Sequence, residues 1–274
     1  MNSATGKRIR LGRLLSSDTN RGLIIAYSHG LLLGPQMGMR TVREMEATID
    51  ACRAADGIMI SPGMVDRLAA RFVGRGKPSL VVHLDWSNFS RRVLPYPQGS
   101  QVSLAAVEEV AAAGADAVMS YLLLGFEDAR AEALEIERNA RLARACERSG
   151  LVLMIEPRYA GERIHSARKT ETAIMQLYCR ISAEVGADLV KVIWPGSSEA
   201  MNALAESCPA PLLVAGGERN ASKEGEVFDV ARCAINAGAS GLVFGRKVYQ
   251  APNPGKIVAK LREIVDLPGD RQPD

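Results

Sequence analysis

The chain has 274 residues, 47% hydrophobic and 24% charged, with 34 basic and 31 acidic side chains giving a net charge of +3. A chain of this length can bury roughly three quarters of its open surface, so no disulfide or metal staple is needed, and the balance excludes disorder, collagen and coiled coil. The charges are interspersed, as over 129–138, and aromatics are only 5%, which argues against a nucleic-acid binder.

Residues 1–20 read as an N-terminal extension and 267–274 as a polar tail, on either side of one domain. The longest stretch free of Asp, Glu, Lys and Arg, 22–39, holds four glycines, Pro35 and His29, which is wrong for a membrane span. No secretory signal is read at the start, so a cytoplasmic location is expected. Short apolar runs predict strands over 23–28, 57–60, 79–84, 117–122, 151–156, 189–193, 212–215 and 242–244. Their starts lie between 22 and 38 residues apart, which suits βα units rather than hairpins. The clearest helices are predicted over 104–113 and 128–149, the second rich in Ala, Glu, Leu and Arg. Helices end in repeating joints just before a strand: Ala-Ala-Asp-Gly at 54–57, Ala-Gly-Ala-Asp at 113–116, Val-Gly-Ala-Asp at 185–188 and Ala-Gly-Ala-Ser at 237–240. A glycine there suits the left-handed position that closes a helix. Eight such units predict an α/β fold, a (β/α)8 TIM barrel in a single domain. The open doubly wound alternative fails because G-x-G-x-x-G is missing after the first strand and Pro35 interrupts.

Barrel chemistry sits at the C-terminal ends of the strands, which selects the residues to weigh. Lys191 shares a strand face with Leu189 and Ile193, among apolar neighbours. A partly desolvated ammonium there favours the free amine, a nucleophile, though a rim ion pair or a phosphate clamp would also use a lysine. Glu156 closes an apolar run, either as an acid/base or as the partner of a cation such as Arg158 or Lys191. Asp85 follows His83-Leu84 and Tyr121 ends the fourth strand; each is a proton-transfer candidate or a structural group. His29 follows the first strand, as a catalytic imidazole or a satisfied one. The seventh strand runs into Ala215-Gly216-Gly217-Glu218 and the eighth into Phe244-Gly245-Arg246-Lys247. Loops at these places often bind phosphate through glycine backbone, and Arg246 would add a charge-assisted contact; tight βα turns are the alternative use of the glycines. No metal-ligand spacing appears, and the five cysteines, never in C-x-x-C, read as small core residues in a reducing compartment.

Together, His29-Gly30 with Gly34-Pro35, Pro157-Arg158, Val190-Lys191 before Trp194-Pro195-Gly196, Ala215-Gly216-Gly217 and Gly245-Arg246-Lys247-Val248-Tyr249-Gln250 resemble the archaeal-type class I fructose-bisphosphate aldolase family. That family includes aldolase-like synthases that use aspartate semialdehyde, and the resemblance runs from about 22 to 265. It implies a Schiff base on Lys191 and phosphate held by Gly216, Gly217, Gly245 and Arg246. Two positions depart from the pattern: Ser28 stands where the family usually has Asp, and Glu156 where it usually has an acid/base Tyr, with Met154 where an aromatic often stands. A carboxylate can perform a phenol's proton transfers if burial raises its pKa toward neutrality.

The expectation is a cofactor-free, metal-free class I aldolase. It would act on small phosphorylated ketone and aldehyde substrates, dihydroxyacetone phosphate and best aspartate semialdehyde, giving a heptanoate phosphate precursor of aminohydroxybenzoate. Lys191, Glu156, Tyr121, Asp85 and His29 form the expected catalytic set, with no nucleic acid or membrane partner and a homo-oligomeric assembly. Cleavage of fructose bisphosphate, a thiolase-like acyl transfer to coenzyme A, and a phosphosugar-binding regulator are the alternatives.

Overall fold

In a computed structural model of the chain, which describes residues 2–88, 100–160, 168–217 and 224–267, eight strands close into a parallel barrel. They are β1 (Gly22–Ala26), β2 (Gly57–Ile60), β3 (Ser79–His83), β6 (Ala117–Leu124), β7 (Val152–Tyr159), β8 (Leu189–Ile193), β9 (Leu212–Ala215) and β10 (Gly241–Phe244). The remaining two, β4 (Asp85–Ser87) and β5 (Gln101–Ser103), pair antiparallel as a small hairpin that the sequence did not announce. Helices α1 (Ser3–Leu14), α2 (Gly30–Leu33), α3 (Val42–Ala51), α4 (Val65–Leu68), α5 (Val107–Ala112) and α6 (Ala129–Ser149) precede α7 (Thr172–Val185), α8 (Ser198–Ser207), α9 (Glu224–Asn236), α10 (Arg246–Tyr249) and α11 (Pro254–Asp266). Closure comes from β1 pairing with β10 on one side (Leu23 against Leu242) and with β2 on the other (Ile25 against Ile58).

The strands read as continuous apolar runs because both of their faces are covered. Alternation then splits each run between two layers. Ile24, Met59, Val81, Met119, Met154, Leu189, Leu213 and Val243 fill the lumen, while Leu23, Ile58, Val82, Val118, Leu153, Val190 and Leu212 pack outward under the helices.

The joints recognised in the sequence explain the lower, N-terminal end of the barrel. Asp56 accepts the Leu23 N–H at 2.7 Å and pairs with Arg262 at 2.5 Å. Asp188 accepts the Leu153 N–H at 2.8 Å and pairs with Lys7 at 3.0 Å. Asp116 pairs with Arg13 at 2.8 Å. Each aspartate thus serves a neighbouring strand or the first helix. Residues 3–14, expected as an extension, are that helix: α1 seals the lower mouth by placing Leu14 and Leu15 in the lumen layer.

Several bounds differ from the sequence reading: β1 ends at Ala26 rather than 28, β3 at His83 rather than 84, and β10 begins at Gly241. Helix α5 begins at Val107 rather than 104: the Glu109 carboxylate caps it by accepting the Ala106 N–H at 2.7 Å, while the Leu104 N–H bonds the Leu84 carbonyl at 2.7 Å. Strands β6 and β7 continue together past their predicted ends, Tyr121 facing Glu156 and Leu124 facing Tyr159. Pro157 fits inside β7 because the ladder to β8 involves only Met154 and Ile155. Residue Glu218 and residues 268–274 of the expected tail lie outside the described residues. Among the described residues no helix is long and apolar enough to cross a membrane.

Candidate active site

Lys191 lies on β8, between the lumen residue Leu189 and the strand end, and Glu156 lies on the adjacent β7. Both are buried, at 8% and 7% exposure, and Lys191 Nζ donates to Glu156 Oε2 at 2.6 Å. Burial would raise the Glu156 pKa, but the charges of Lys191 and Arg158 and the hydrogen bond from Lys191 outweigh it, so it lies below the ordinary glutamate value. The expected condition, a carboxyl raised toward neutrality, is therefore not met. Glu156 rests as a carboxylate, ready to accept a proton.

Tyr121 faces Glu156 across the β6–β7 ladder. Its phenol pKa is pushed up by burial and by the Glu156 charge, so it keeps its proton. Arg158 lies over the phenol ring, its guanidinium carbon 5.1 Å from the ring centroid. On the other side, the His83 ring meets Tyr121 edge-on at 4.9 Å.

His29 follows β1 and feels Lys191, Arg246 and Glu156. Burial first, then the Lys191 and Arg246 cations, hold it down to about 3, so it is neutral. It sits against Gly245, where a Cβ would come within 2.5 Å of His29 Cε1 and 2.7 Å of the Ala26 carbonyl oxygen. At Gly216 a Cβ would fall 2.8 Å from the Phe244 ring. Both glycines are therefore required by close approach, whatever else they bind. Gly217 has φ +72° with open space around it. Gly216, Gly217, Gly245 and Arg246 thus line the β9 and β10 ends of the mouth, with His29 beside them.

Asp85, expected in the catalytic set, is not brought together with this group. Strand β3 ends at His83 and the chain turns into the β4–β5 hairpin, so Asp85 leaves the alternation that carries Val81 and His83 inward. Its carboxylate accepts the Tyr121 N–H at 2.6 Å and the Ser120 hydroxyl at 2.8 Å, and pairs with Arg138 at 3.1 Å. The Tyr121 carbonyl in turn accepts Arg138 at 2.5 Å and Asn139 at 3.1 Å. The β3 ladder to β6 stops at Met119, and these side chains take over the backbone groups a longer β3 would have paired. Asp85 thus holds Tyr121 from behind.

Sequence reasoning passed over His83, which the structure places in the lumen. The signal in the sequence is its parity with Val81 on one strand. A crevice of about 120 Å³ lined by Arg158, Tyr159, Lys169 and Ile193, among others, flanks the β7 and β8 ends. Among the described residues no group of three or more His, Cys, Asp and Glu side chains is arranged to hold a metal ion.

The chain is 30% identical to an uncharacterized aldolase of Saccharolobus solfataricus, covering 95% of this chain and 94% of the relative. It is 31% identical to 2-amino-4,5-dihydroxy-6-oxo-7-(phosphonooxy)heptanoate synthase of Streptomyces griseus, over 98% of this chain and 94% of that protein. A solved Schiff-base-forming fructose-1,6-bisphosphate aldolase shares the fold with a TM-score of 0.80 at 23% identity, covering 94% of this chain and 99% of that one. Residues 23–251 match the model of the DeoC/LacD family aldolases. The chain belongs to the DeoC/LacD aldolase family.

Proposed function

We propose that this enzyme forms a carbon–carbon bond between dihydroxyacetone phosphate and an aldehyde that bears a carboxylate, aspartate semialdehyde first. The buried Lys191–Glu156 pair at 2.6 Å carries the reading, because it couples a nucleophile to a base on adjacent strand ends. Glu156 takes the ammonium proton, and the free Lys191 amine attacks the ketone carbon. Loss of water, helped by the proton on Glu156, leaves an iminium. The carboxylate then removes a proton from the adjacent hydroxymethyl carbon, and the electron pair moves toward the iminium nitrogen to give an enamine. The enamine carbon bonds to the aldehyde carbon, and water releases the product and restores Lys191.

Gly216, Gly217, Gly245 and Arg246 suit the donor phosphate by backbone approach and charge. Tyr121 stays protonated beside Glu156 and supplies a hydrogen-bond donor, with His29 neutral on the phosphate side. Arg158 and Lys169, lining the crevice at the β7 and β8 ends, provide cations for the carboxylate of the acceptor. The Streptomyces griseus relative supports a seven-carbon amino-sugar-acid phosphate as the product class.

Borohydride reduction with dihydroxyacetone phosphate, followed by peptide mass mapping, tests the reading. A stable adduct on Lys191 is expected. An adduct on another lysine, or none from protein that still condenses the substrates, would overturn it. Incubation with aspartate semialdehyde or glyceraldehyde 3-phosphate and identification of the products decides the acceptor.

A further inference from the structure

Three buried polar atoms near the mouth make no hydrogen bond among the described residues: His29 Nδ1, His83 Nε2 and the Tyr249 hydroxyl. Two of them belong to the phosphate side, since His29 lies against Gly245 and its ring is 5.5 Å from that of Tyr249. His83 stands apart. It ends β3, a strand flanked by β2 and β6 and away from β9 and β10, and it is 1% exposed. Around it are Tyr121, Ser28 and the charges of Lys191 and Arg158. An unpaired polar atom so deeply buried is unfavourable unless a ligand completes it.

Counting hydrogens decides what Nε2 offers. Ser28 Oγ lies 2.9 Å from His83 Nδ1. If the hydroxyl donates to Nδ1, only the Nε2–H is left over. If Nδ1–H donates to the hydroxyl instead, both the hydroxyl hydrogen and the Nε2 lone pair are left over, two buried groups rather than one. The first arrangement leaves fewer orphans. The ring is also neutral, because burial and then the Lys191 and Arg158 cations hold its pKa at about 3.

We propose that Ser28 fixes His83 as the Nε2–H tautomer, and that this N–H donates to the acceptor's aldehyde oxygen as carbon–carbon bond formation turns it into an alkoxide. This rests on the Schiff-base reading above. As the enamine carbon bonds to the aldehyde carbon, the nitrogen lone pair reforms the iminium and the carbonyl pair moves onto oxygen. The alkoxide then takes the proton Glu156 removed from the donor, and Glu156 returns to carboxylate. His83 gives up no proton; it holds the charge while it exists. Its place on β3, opposite the phosphate side, makes it an acceptor residue.

Two variants separate the ring nitrogens. His83→Gln carries its amide N–H close to where Nε2 lies, and His83→Asn carries one only as far as Nδ1. Loss of a donor to a developing oxyanion typically costs about 10²–10³-fold in rate. Condensation should therefore fall at least about 100-fold in His83→Asn and about tenfold or less in His83→Gln. Deuterium wash-in to dihydroxyacetone phosphate without aldehyde, and borohydride trapping on Lys191, should stay near wild type in both. Condensation at the wild-type rate in the Asn variant would overturn the proposal. So would wash-in falling in parallel with condensation, which would mean the ring supports the lysine instead. A wild-type protein that neither traps nor exchanges any ketone phosphate would sink the aldolase reading itself, and the acceptor role with it. The tautomer is read independently by ¹⁵N NMR of the histidines: Nε2 protonated in wild type and a tautomer mixture in Ser28→Ala are expected, and Nδ1 protonated in wild type would refute it.

Discussion

At the lower end of the barrel, Asp56, Asp116 and Asp188 each meet a cation, and Asp56 and Asp188 also accept a strand N–H. At the upper end, Lys191 and Glu156 have each other, while His29, His83 and Tyr249 keep polar atoms that make no hydrogen bond among the described residues. Both ends pair carboxylates with cations under the same barrel geometry. The lower charges sit at strand starts, where a helix closes over them and every group can be completed from within the chain. The upper ion pair sits at strand ends, beside buried polar atoms that, among the described residues, no group of the chain completes. The contrast is the division expected of such barrels, stability below and chemistry above.

The contrast breaks most severely at Lys191. Lys191→Met should abolish borohydride-trapped adduct and condensation alike; retained activity would mean that the upper end is built for something else. Glu156→Gln comes next. An amide cannot accept the donor proton, so deuterium wash-in should fall about 10²–10⁴-fold, while iminium trapping survives. Unimpaired wash-in would leave Tyr121 and His29 as the proton-transfer candidates. Arg246→Ala should raise KM for the phosphorylated donor by about 10- to 150-fold, equivalent to about 1.5–3 kcal/mol for a hydrogen bond to a charged group, with kcat largely kept. An unchanged KM would place the phosphate elsewhere.

The smallest effect on catalysis belongs below. Lys7→Met removes the cation that joins α1 to Glu147 and Asp188, at 2.6 Å and 3.0 Å. It should cost about 1–3 kcal/mol of stability and leave kcat unchanged. A loss of activity without a loss of stability would erase the distinction between the ends.

The pH dependences of stability should also differ in sign. Burial would lower the Lys7 pKa, but its hydrogen bonds to Glu147 and Asp188 outweigh this and hold it above 10.5. Its contribution is therefore complete below that value and fades as pH rises through the folded-state pKa. The Glu156 pKa is held below 4.5, so the upper pair contributes above that value and fades as pH falls through its folded-state pKa. Urea titrations of wild type and Lys7→Met from neutral to strongly alkaline pH, and of wild type and Glu156→Gln into acid, would read both. Curves that stay parallel would contradict the assignment.

How legible the molecule was depends on the reach of each interaction. The strands at 57–60, 189–193 and 212–215 were read with the bounds the structure has, because an apolar run followed by a helix is a local signal. Alternation along one strand put Lys191 on the face of Leu189. Helix α1 escaped because it docks by its end: Leu14 is its one buried residue, so no apolar stripe repeats along it. Asp85 reads from sequence as a carboxylate at a strand end, but β3 stops at His83 and Asp85 opens a hairpin that reverses the chain. The last inward residue of β3 is therefore the His83 imidazole and not the carboxylate.

The amino-acid sequence by itself determined the number of βα units, the barrel they close into, and the candidate nucleophile, because these rest on periodicities within a few residues. Only the tertiary structure decided which of the strand-end groups meet. Glu156 and Lys191 are 35 positions apart, and their contact comes from the pairing of β7 with β8. The net charge state of Glu156 was likewise undetermined, because burial and two cations oppose one another and only their distances say which prevails. Whether Asp85 faced the substrate or the back of Tyr121 was settled by where a neighbouring strand stops. Contacts between segments remote in sequence set these outcomes, and no local pattern encodes them.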